Sequence, residues 1–570
     1  MSPFSRPAAV RHGDRMVARS VLFVLLAFYT ATFVGVPENP DAEVEFQTTS
    51  SLVRRHTLAL GGTPEAAAIA AHRYSVHGGG PGREEELFAW FGVGQAYGGV
   101  PFYLAGRGLG RIFPDLDARH GTTPVPGVSP DAAGRYRSEY FEHLLVGWRN
   151  PLLGALTALL VVLTSIRLGA SRRHAWLAGL AYGLGTYAWP QARSTLSDVQ
   201  AAFFLFLAFH MLLKVRESYR RYLPPRRIDM ALYGLGLAAA FLTRLVTAPA
   251  ILVLLVAGTA VVAHGRRRPE TRGFPTAELA WMGLPAAGGL VVWLAVNHLR
   301  FGRVLESGYG EVVGASFFDF PFGEGILSLL VSPGRGLLFL APAVVLAPVW
   351  LGRLVRSGGD PLAGWTVAAV AAAVIGPVAL AGGWHGAWTY GPRYVLPLLP
   401  FLWLGVAPTL DRLAARRAGR LVALALLGAG LVTSLPGVLV DYPTHHDLAV
   451  QAARLEWPDV AGPTEEAREG ARFLSIQYDW RFAAPWAHWR ILRHRIAVGD
   501  ERYPVREVFL LDRDEVLSPT PDRSTGLRHL AWVDLHERLG GAAWPAVLLC
   551  LAFLGAGIVL AGRGLDPDLR

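Results

Sequence analysis

The sequence predicts an all-α polytopic membrane protein with about twelve transmembrane helices. Hydrophobic residues make up 52% of the 570 residues, and the mean hydropathy is positive. Apolar runs long enough to cross a bilayer recur along the chain, and arginine clusters occupy alternate loops between them. The net charge of +10 therefore follows from loop arginines that define topology, and it does not indicate a nucleic-acid partner.

The first apolar run predicts the orientation of the chain. Arg6, Arg11, Arg15 and Arg19 lie before or at the start of an apolar stretch from 16 to 36, which has no small-x-small cleavage pattern. We expect an uncleaved anchor with a cytoplasmic amino terminus. The single cysteine, Cys550, lies in the last apolar run, so neither an intramolecular disulfide nor a cysteine-based zinc site can form.

The remaining spans are predicted from further apolar runs near 149–167, 175–192, 199–214, 230–264, 277–297, 326–352, 363–382, 392–409, 420–440 and 543–562. The run at 230–264 would be about 50 Å long as one helix, against a hydrocarbon core of about 30 Å. Arginines flank it on both sides, so we expect a hairpin that turns near Thr243 and Arg244. The glycine-rich stretch 87–109 is predicted to be interfacial or re-entrant, because a span there would move every later arginine cluster outside.

This topology places both termini in the cytoplasm and two hydrophilic regions outside, residues 37–148 and 441–542, with a shorter outer loop at 297–325. We divide the chain into a transmembrane module (1–440), an extracytoplasmic accessory region (441–542), and a final helix with a cytoplasmic tail (543–570). The accessory region shows no clear strand or helix periodicity. The arginine-rich composition is typical of a GC-rich bacterial genome, so a bacterial cytoplasmic membrane is expected.

Several enzyme classes leave no signature in the sequence. It contains no GxxxxGK[ST], HExxH or GxSxG motif, which argues against an ATPase, a zinc protease and a serine hydrolase of the usual kinds. Charged residues also avoid the middles of the predicted spans, whereas ion-coupled transporters usually keep ionisable residues there.

The acidic segment PDAEVEF at 40–46 is the main candidate for catalysis. It follows the first span on the outer side and carries Asp41 and Glu43, and an amphipathic stretch at 48–60 continues from it. A carboxylate at this level can serve as a general base for chemistry at the membrane surface. The alternative is a solvated acidic loop end.

Three arginines map to the outer ends of predicted spans, where a lipid phosphate lies: Arg244, Arg335 and Arg393. The alternative for each is an interfacial arginine that extends to water. Trp384, Trp388 and Tyr390 can stack on a sugar or belong to the aromatic belt. His385, His445 and His446 make a poor metal constellation, and a divalent ion held by the two acids is left open.

Motifs along the first 440 residues resemble the GT-C superfamily of membrane glycosyltransferases, which includes protein mannosyltransferases and aminoarabinose transferases. The acidic segment resembles the start of their first outer loop, although Asp41 and Glu43 are separated by Ala42 where many relatives place two adjacent acids. Further similarities follow in the same order at 92–95 with 101–104, 185–189 with 197–198, 242–244, 297–302 with 308–310, 332–337 and 384–394.

The resemblance implies transfer of a sugar from a polyprenyl-phosphate donor to an acceptor hydroxyl, with inversion, on the extracytoplasmic face. Asp41, or failing it Glu43, would be the base, and Arg244, Arg335 and Arg393 would bind the donor phosphate. Trp384, Tyr390 and Gln95 would contact sugar or lipid. The acceptor would be a glycan, a lipid or a protein, with membrane lipid around the chain. The alternatives are a lipid or glycan transporter of the same topology and a non-catalytic envelope assembly factor.

Overall fold

A computed structural model describes residues 8–35, 40–61, 75–121, 139–267, 269–272, 279–309, 315–356, 360–499, 501–519 and 527–566. The α-helices of the first half of the chain are α1 (Ala8–Ala31), α2 (Pro40–Arg55), α3 (Gly94–Ile112), α4 (Pro114–Gly121), α5 (Tyr140–Arg167), α6 (Arg172–Leu184), α7 (Ala188–Arg193), α8 (Asp198–Arg220), α9 (Arg227–Thr243), α10 (Ala248–Arg266) and α11 (Ala280–Phe301).

The second half is also helical. Its α-helices are α12 (Phe322–Val331), α13 (Leu337–Leu340), α14 (Ala347–Arg356), α15 (Pro361–Leu380), α16 (Leu399–Trp403), α17 (Val406–Leu413), α18 (Arg417–Ser434), α19 (Pro436–Leu439), α20 (Tyr442–Glu456), α21 (Glu465–Tyr478), α22 (Ala484–Ala497), α23 (Val505–Val508), α24 (Ala531–Glu537) and α25 (Trp544–Leu565). Short 3₁₀ segments occupy Leu245–Thr247, Pro269–Thr271, Ala315–Phe318, Pro342–Leu346 and Arg393–Leu398.

Short strands form two small antiparallel sheets. In the first sheet β3 (Leu87–Ala89) lies between β1 (Ala59–Leu60) and β2 (Val76–Gly78), and Phe88 pairs with both Ala59 and His77. The second sheet joins β4 (Tyr503–Pro504) to β5 (Val516–Leu517). The first sheet lies beside α2 and completes the wall of the candidate site.

Among the described residues, seven helices are long and apolar enough to cross a membrane: Tyr140–Arg167, Asp198–Arg220, Leu245–Arg266, Ala280–Phe301, Pro361–Leu380, Arg417–Leu439 and Trp544–Leu565. Arg393–Trp403 and Val406–Leu413 together form an eighth candidate, bent by 47°. The chain is thus a multi-pass membrane protein, and the predicted count of about twelve spans is not confirmed.

Several predicted spans are interrupted, which accounts for much of the difference in number. The run at 175–192 divides into α6 and α7, and the run at 326–352 divides into three α-helices and a 3₁₀ segment. Proline and glycine at 333–336 and 342 lie at the breaks in the second run, since neither residue favours a continuous helix. The predicted turn at Thr243 and Arg244 is confirmed, because α9 ends at Thr243 and a new helix begins at Leu245.

The accessory region differs from its prediction. The sequence there shows no clear periodicity, yet the structure contains four helices of seven or more residues, α20, α21, α22 and α24. Side chains between Val440 and Leu517 form a hydrophobic core of their own, which includes Leu448, Phe482, Ile491 and Tyr503. The buried positions of this core are spread over α20, α21 and α22, whereas α24 packs against Phe33 and Tyr140, so no single helix shows a long apolar stripe.

Candidate active site

The candidate site lies where α2 meets the start of α8, the end of α9 and the bent helix at Arg393. Helix α2 begins at Pro40, so Asp41 and Glu43 both fall in its first turn and point in different directions. Asp41 faces the helix bundle, and its Oδ2 lies 3.0 Å from Nη1 of Arg393. Ser75, beside the first sheet, donates a 2.5 Å hydrogen bond to the other carboxylate oxygen of Asp41.

Glu43 has a different environment. Its Oε2 lies 3.4 Å from Nε2 of His143 at the start of α5, and Gln47 donates a 2.6 Å hydrogen bond to its Oε1. The two predicted acids therefore have separate partners, and only Asp41 contacts one of the predicted phosphate-binding arginines. Within the described ranges, no three His, Cys, Asp or Glu side chains converge to form a metal site.

Two of the three predicted arginines flank one aromatic ring. The guanidinium carbon of Arg244 lies 5.3 Å from the ring centroid of Tyr394, and that of Arg393 lies 5.1 Å from it. Arg244 also donates 3.1 Å hydrogen bonds to Ser197 and to Asp198 at the start of α8. Arg244 and Arg393 are 149 positions apart in sequence. The bend between α9 and α10 and the break before α16 bring both of them to the ring of Tyr394.

Arg393 keeps an unused donor in this cluster. The residue is 7% exposed, and its Nε lacks a hydrogen-bond partner among the described residues. A buried N–H group without an acceptor is unfavourable, so an incoming anionic oxygen at this point would satisfy it. The geometry is compatible with a phosphate oxygen held by Arg393.

The third predicted arginine, Arg335, has a different role. It is 1% exposed, and its guanidinium donates to the carbonyl oxygens of Ala387, Thr389 and Gly391. It donates also to Gln477 at 3.0 Å and to the Tyr442 hydroxyl. Protein acceptors thus occupy its donors, and the geometry does not support the predicted contact with phosphate.

Arg335 stabilises a strained loop. Ala387 has φ 55°, and Gly386 and Gly391 have φ 73° and 85°. A left-handed alanine is unfavourable unless its surroundings hold it in place, and the hydrogen bonds from Arg335 supply that restraint. The arginine therefore sets the path of the chain into Arg393.

The predicted sugar-contacting residues also lie in the interior. Trp384 is 0% exposed and packs near Phe320 and Tyr478. Tyr390 is 4% exposed and donates its hydroxyl hydrogen to the carbonyl of Thr433. Neither ring presents a free face to a sugar in this structure, so both side chains are part of the packed wall behind the site.

Gln95 connects the start of α3 to the bundle. Its Nε2 donates a 2.6 Å hydrogen bond to the carbonyl of Thr195, and Arg149 donates to the Gln95 carbonyl at 2.8 Å. It lines a small cavity together with Glu45 and Arg149. The structure places Gln95 beside α2, where its side chain holds the backbone at Thr195. It does not contact Arg244 or Arg393.

The sequence analysis did not assign three residues that the structure brings to this site: Glu45, Asp198 and Tyr309. Asp198 is fully buried and is the counter-ion of Arg244. Glu45 lies one helical turn after Asp41, and burial raises its pKa to about 8, partly offset by Arg149. Burial likewise raises the pKa of Tyr309 to about 12, close to both arginines.

A sequence signal existed for two of them. Glu45 is four residues from Asp41, so it shares a face with it on any helix. Asp198 stands at one end of a long apolar run, and Asp41 follows another. Tyr309 has no comparable signal, because its position depends on the path of a loop.

A tight contact holds the start of α3 against this site. An added Cβ at Gly92 would lie 2.1 Å from the carbonyl oxygen of Leu242, and one at Gly94 would lie 2.6 Å from Thr243. Gln200 donates hydrogen bonds to Gly94 at 2.8 Å and to Thr243 at 2.9 Å. Glycine is needed at 92 and 94 because two backbone segments meet there without room for side chains.

Comparison with known proteins gives one family match and several structural likenesses. Residues 121–267 match the model of the dolichyl-phosphate-mannose-protein mannosyltransferase family, and this segment includes α5 to α10. No curated protein matches the chain by sequence.

The structural likenesses are distant. ArnT from Cupriavidus metallidurans bound to undecaprenyl phosphate is 12% identical, with a TM-score of 0.38 and coverage of 96% of this chain and 77% of ArnT. The same protein in the apo state gives a TM-score of 0.42 at 12% identity, covering 95% and 76%.

The oligosaccharyltransferase AglB from Archaeoglobus fulgidus, in complex with an inhibitory peptide and a dolichol-phosphate, is 12% identical with a TM-score of 0.41, and the chain covers 62% of its length. The match over residues 121–267 to the protein mannosyltransferase family confirms the predicted resemblance to GT-C membrane glycosyltransferases.

Proposed function

We propose that this chain transfers a sugar from a polyprenyl-phosphate donor to an acceptor hydroxyl at the extracytoplasmic surface, with inversion at the anomeric carbon. The observation that carries the proposal is the contact between Asp41 and Arg393 beside the Arg244–Tyr394–Arg393 stack. This cluster places a carboxylate, which can act as a base, next to two guanidinium groups, which can bind a phosphate. The description of the matched family names mannosyl transfer from dolichyl phosphate to protein.

Arg393 and Arg244 are proposed to bind the donor phosphate. Guanidinium groups bind phosphate through paired N–H donors, and Nε of Arg393 lacks an acceptor among the described residues. During transfer the bond from the anomeric carbon to the phosphate oxygen breaks, and negative charge grows on that oxygen. Prearranged cations lower the energy of this state because they need no reorganisation as the charge develops.

Asp41 is proposed as the general base. Its carboxylate accepts the proton of the acceptor hydroxyl while the hydroxyl oxygen forms its bond to the anomeric carbon from the face opposite the phosphate. A phosphate on Nε of Arg393 shares the positive charge of that guanidinium with Asp41, which is bonded to Nη1. Donor binding would thereby loosen the ion pair and leave the carboxylate available to the acceptor.

A matched pair of acid variants tests the base. Asp41→Asn keeps the shape and is expected to lower the transfer rate by about 100- to 10,000-fold, while Glu43→Gln keeps activity within a few-fold. The assay follows release of polyprenyl phosphate from a polyprenyl-phosphate sugar by the purified chain, and mass spectrometry of envelope glycans and lipids identifies the acceptor. A large loss only in Glu43→Gln would move the base to that residue. Full activity in both variants would remove this acidic segment from the mechanism.

A further inference from the structure

A second charged cavity lies at the arginine-rich end of the helix bundle, far from the candidate active site. It encloses about 420 Å³ between α1, α5, α8 and the start of α9. Helix α8 passes from Asp198 in the active site to Glu217 at this cavity, which at 1.5 Å per residue separates the two places by about 30 Å. The cavity is therefore at the opposite membrane surface.

The cavity has more cationic than anionic side chains in its lining. Its carboxylates are Asp14, Glu217 and Asp229, and its cations are Arg15, Arg167, Lys214, Arg221 and Arg226. The positive excess comes from four separate segments of the chain, so folding concentrates it at one place. A site with this charge favours an anion.

Each of the three carboxylates already has a cationic partner. Glu217 pairs with both Arg167 and Arg221, and Asp229 pairs with Lys214. Asp14 pairs with Arg172 at 2.8 Å, outside the lining. The acids of the cavity are thus neutralised by nearby cations.

Arg15 and Arg226 differ from the other cations of the lining. Both side chains are exposed, and no carboxylate of the described residues lies within ion-pair distance of either. They come from α1 and from the residue that precedes α9, so they stand on different walls of the cavity. Two guanidinium groups on different walls of one cavity suit a phosphate group with several acceptor oxygens.

The rim beside these arginines is apolar and open. Tyr222 is 52% exposed, Leu223 is 54% exposed and Ile228 is 50% exposed. Exposed apolar side chains at the end of a membrane helix lie beside lipid chains. They would contribute nothing to the binding of a small soluble anion. The apolar rim next to a cationic cavity favours an amphipathic ligand.

We infer that this cavity binds the phosphate headgroup of an anionic membrane phospholipid, with Arg15 and Arg226 as its principal contacts and the acyl chains against the apolar rim. This site is separate from the proposed donor site in position and in residues. Anionic lipid there would fix α1 against α8 and α9 at the surface where basic loops gather.

The test uses the full-length chain in non-ionic detergent, titrated with phosphatidylglycerol or phosphatidylcholine, with retained lipid counted by native mass spectrometry. The double variant Arg15→Gln/Arg226→Gln is expected to bind phosphatidylglycerol about 30-fold more weakly, from about 1 kcal/mol for each charge. The control, Arg416→Gln/Arg417→Gln, removes two exposed arginines outside the cavity and should bind as the parent does.

Three outcomes would overturn the inference. Equal weakening in both double variants would show that only general surface charge is involved. Unchanged phosphatidylglycerol binding in Arg15→Gln/Arg226→Gln would place the lipid elsewhere. Inorganic phosphate that binds in the parent, fails in this variant and displaces no lipid would identify a soluble anion as the ligand. A melting temperature equal to that of the parent shows that the variant is folded.

Discussion

Individual side chains at the candidate site divide into those that keep an unpaired donor and those whose donors are all bonded within the protein. Arg393 contacts Asp41 and retains a buried Nε without a partner in the described part of the chain. Arg335, in contrast, uses its donors on the carbonyls of the 387–391 loop. Two arginines that look equivalent in sequence are therefore expected to behave differently when they are removed.

Arg393→Ala is expected to weaken donor binding, because a charge-assisted contact worth about 1.5 to 3 kcal/mol is lost. Donor titration of the purified chain measures this as a higher KM, while the melting temperature changes less. Arg303→Ala is the control, since Arg303 is an exposed arginine in the loop after α11. A parental KM for the Arg393 variant would contradict the phosphate role.

Arg335→Ala is expected to lower the free energy of unfolding by about 3 kcal/mol or more, because it leaves several buried carbonyls without a donor. Thermal unfolding in detergent measures the loss, together with the amount of protein that accumulates. A stable Arg335 variant with a raised KM for donor would restore the phosphate contact predicted from sequence.

At the scale of elements, the start of α3 reaches the site only because Gly92 and Gly94 allow it to touch the α9 turn. Gly92→Ala places a Cβ 2.1 Å from a backbone oxygen, which cannot move independently of its helix. We expect a loss of about 1 to 3 kcal/mol in stability, as in overpacked cores, with lowered transfer activity.

Gly108 provides a control on α3, the helix that begins two residues after Gly92. A Cβ at this exposed position meets nothing within 4 Å, so Gly108→Ala should be neutral or stabilising by up to about 1 kcal/mol. The comparison of melting temperatures separates the contact from the general effect of alanine in α3. Equal effects of the two changes would mean that the close approach at Gly92 is not important.

The packing of α20 against α22 makes stability depend on pH. Burial lowers the pKa of His445 to about 3 and lowers that of His488 well below its ordinary value, and the two rings lie 4.8 Å apart. One ring nitrogen of each has no partner among the described residues. Both residues are therefore neutral in the folded protein, and protonation is disfavoured there.

Because the pKa of each histidine is lower in the folded than in the unfolded state, stability is complete above about pH 6.5 and falls below it. Between about pH 6.5 and 5.5, the free energy of unfolding should fall by about 1 kcal/mol for each histidine. Thermal unfolding against pH tests this. His445→Gln/His488→Gln should make the dependence shallower, since other buried histidines remain, and the exposed His264→Gln should leave it unchanged; a flat profile in the parent would contradict the prediction.

At the scale of the whole molecule, the two charged sites lie at opposite ends of the same helices, and their orientation depends on the arginine-rich loops. We predict cytoplasmic termini and extracytoplasmic residues 37–148 and 441–542. Reporter fusions after residues 120, 500 and 566 should give outside, outside and inside signals. A cytoplasmic signal from the fusion at 120 or 500 would reverse or disrupt this topology.

Sequence by itself determined the membrane class and the break at Arg244, and it identified Asp41 and Arg393 as candidate site residues. Each of these follows from local information: apolar length, charge distribution, or the end of a span. It also indicated the glycosyltransferase resemblance, which the family match over residues 121–267 supports. It did not reveal the helices of the accessory region, whose buried residues are distributed over several short segments.

Only the tertiary structure decided which neighbours each polar group has. Whether Arg335 faces a phosphate or a carbonyl, and whether Asp41 or Glu43 meets Arg393, depends on contacts between segments that are 54 and 352 residues apart in the sequence. The same is true of Tyr390 and Trp384, whose burial no aromatic pattern indicates. Sequence periodicity specifies one face of one helix, whereas a site is formed by several segments, and their relative positions are fixed by packing.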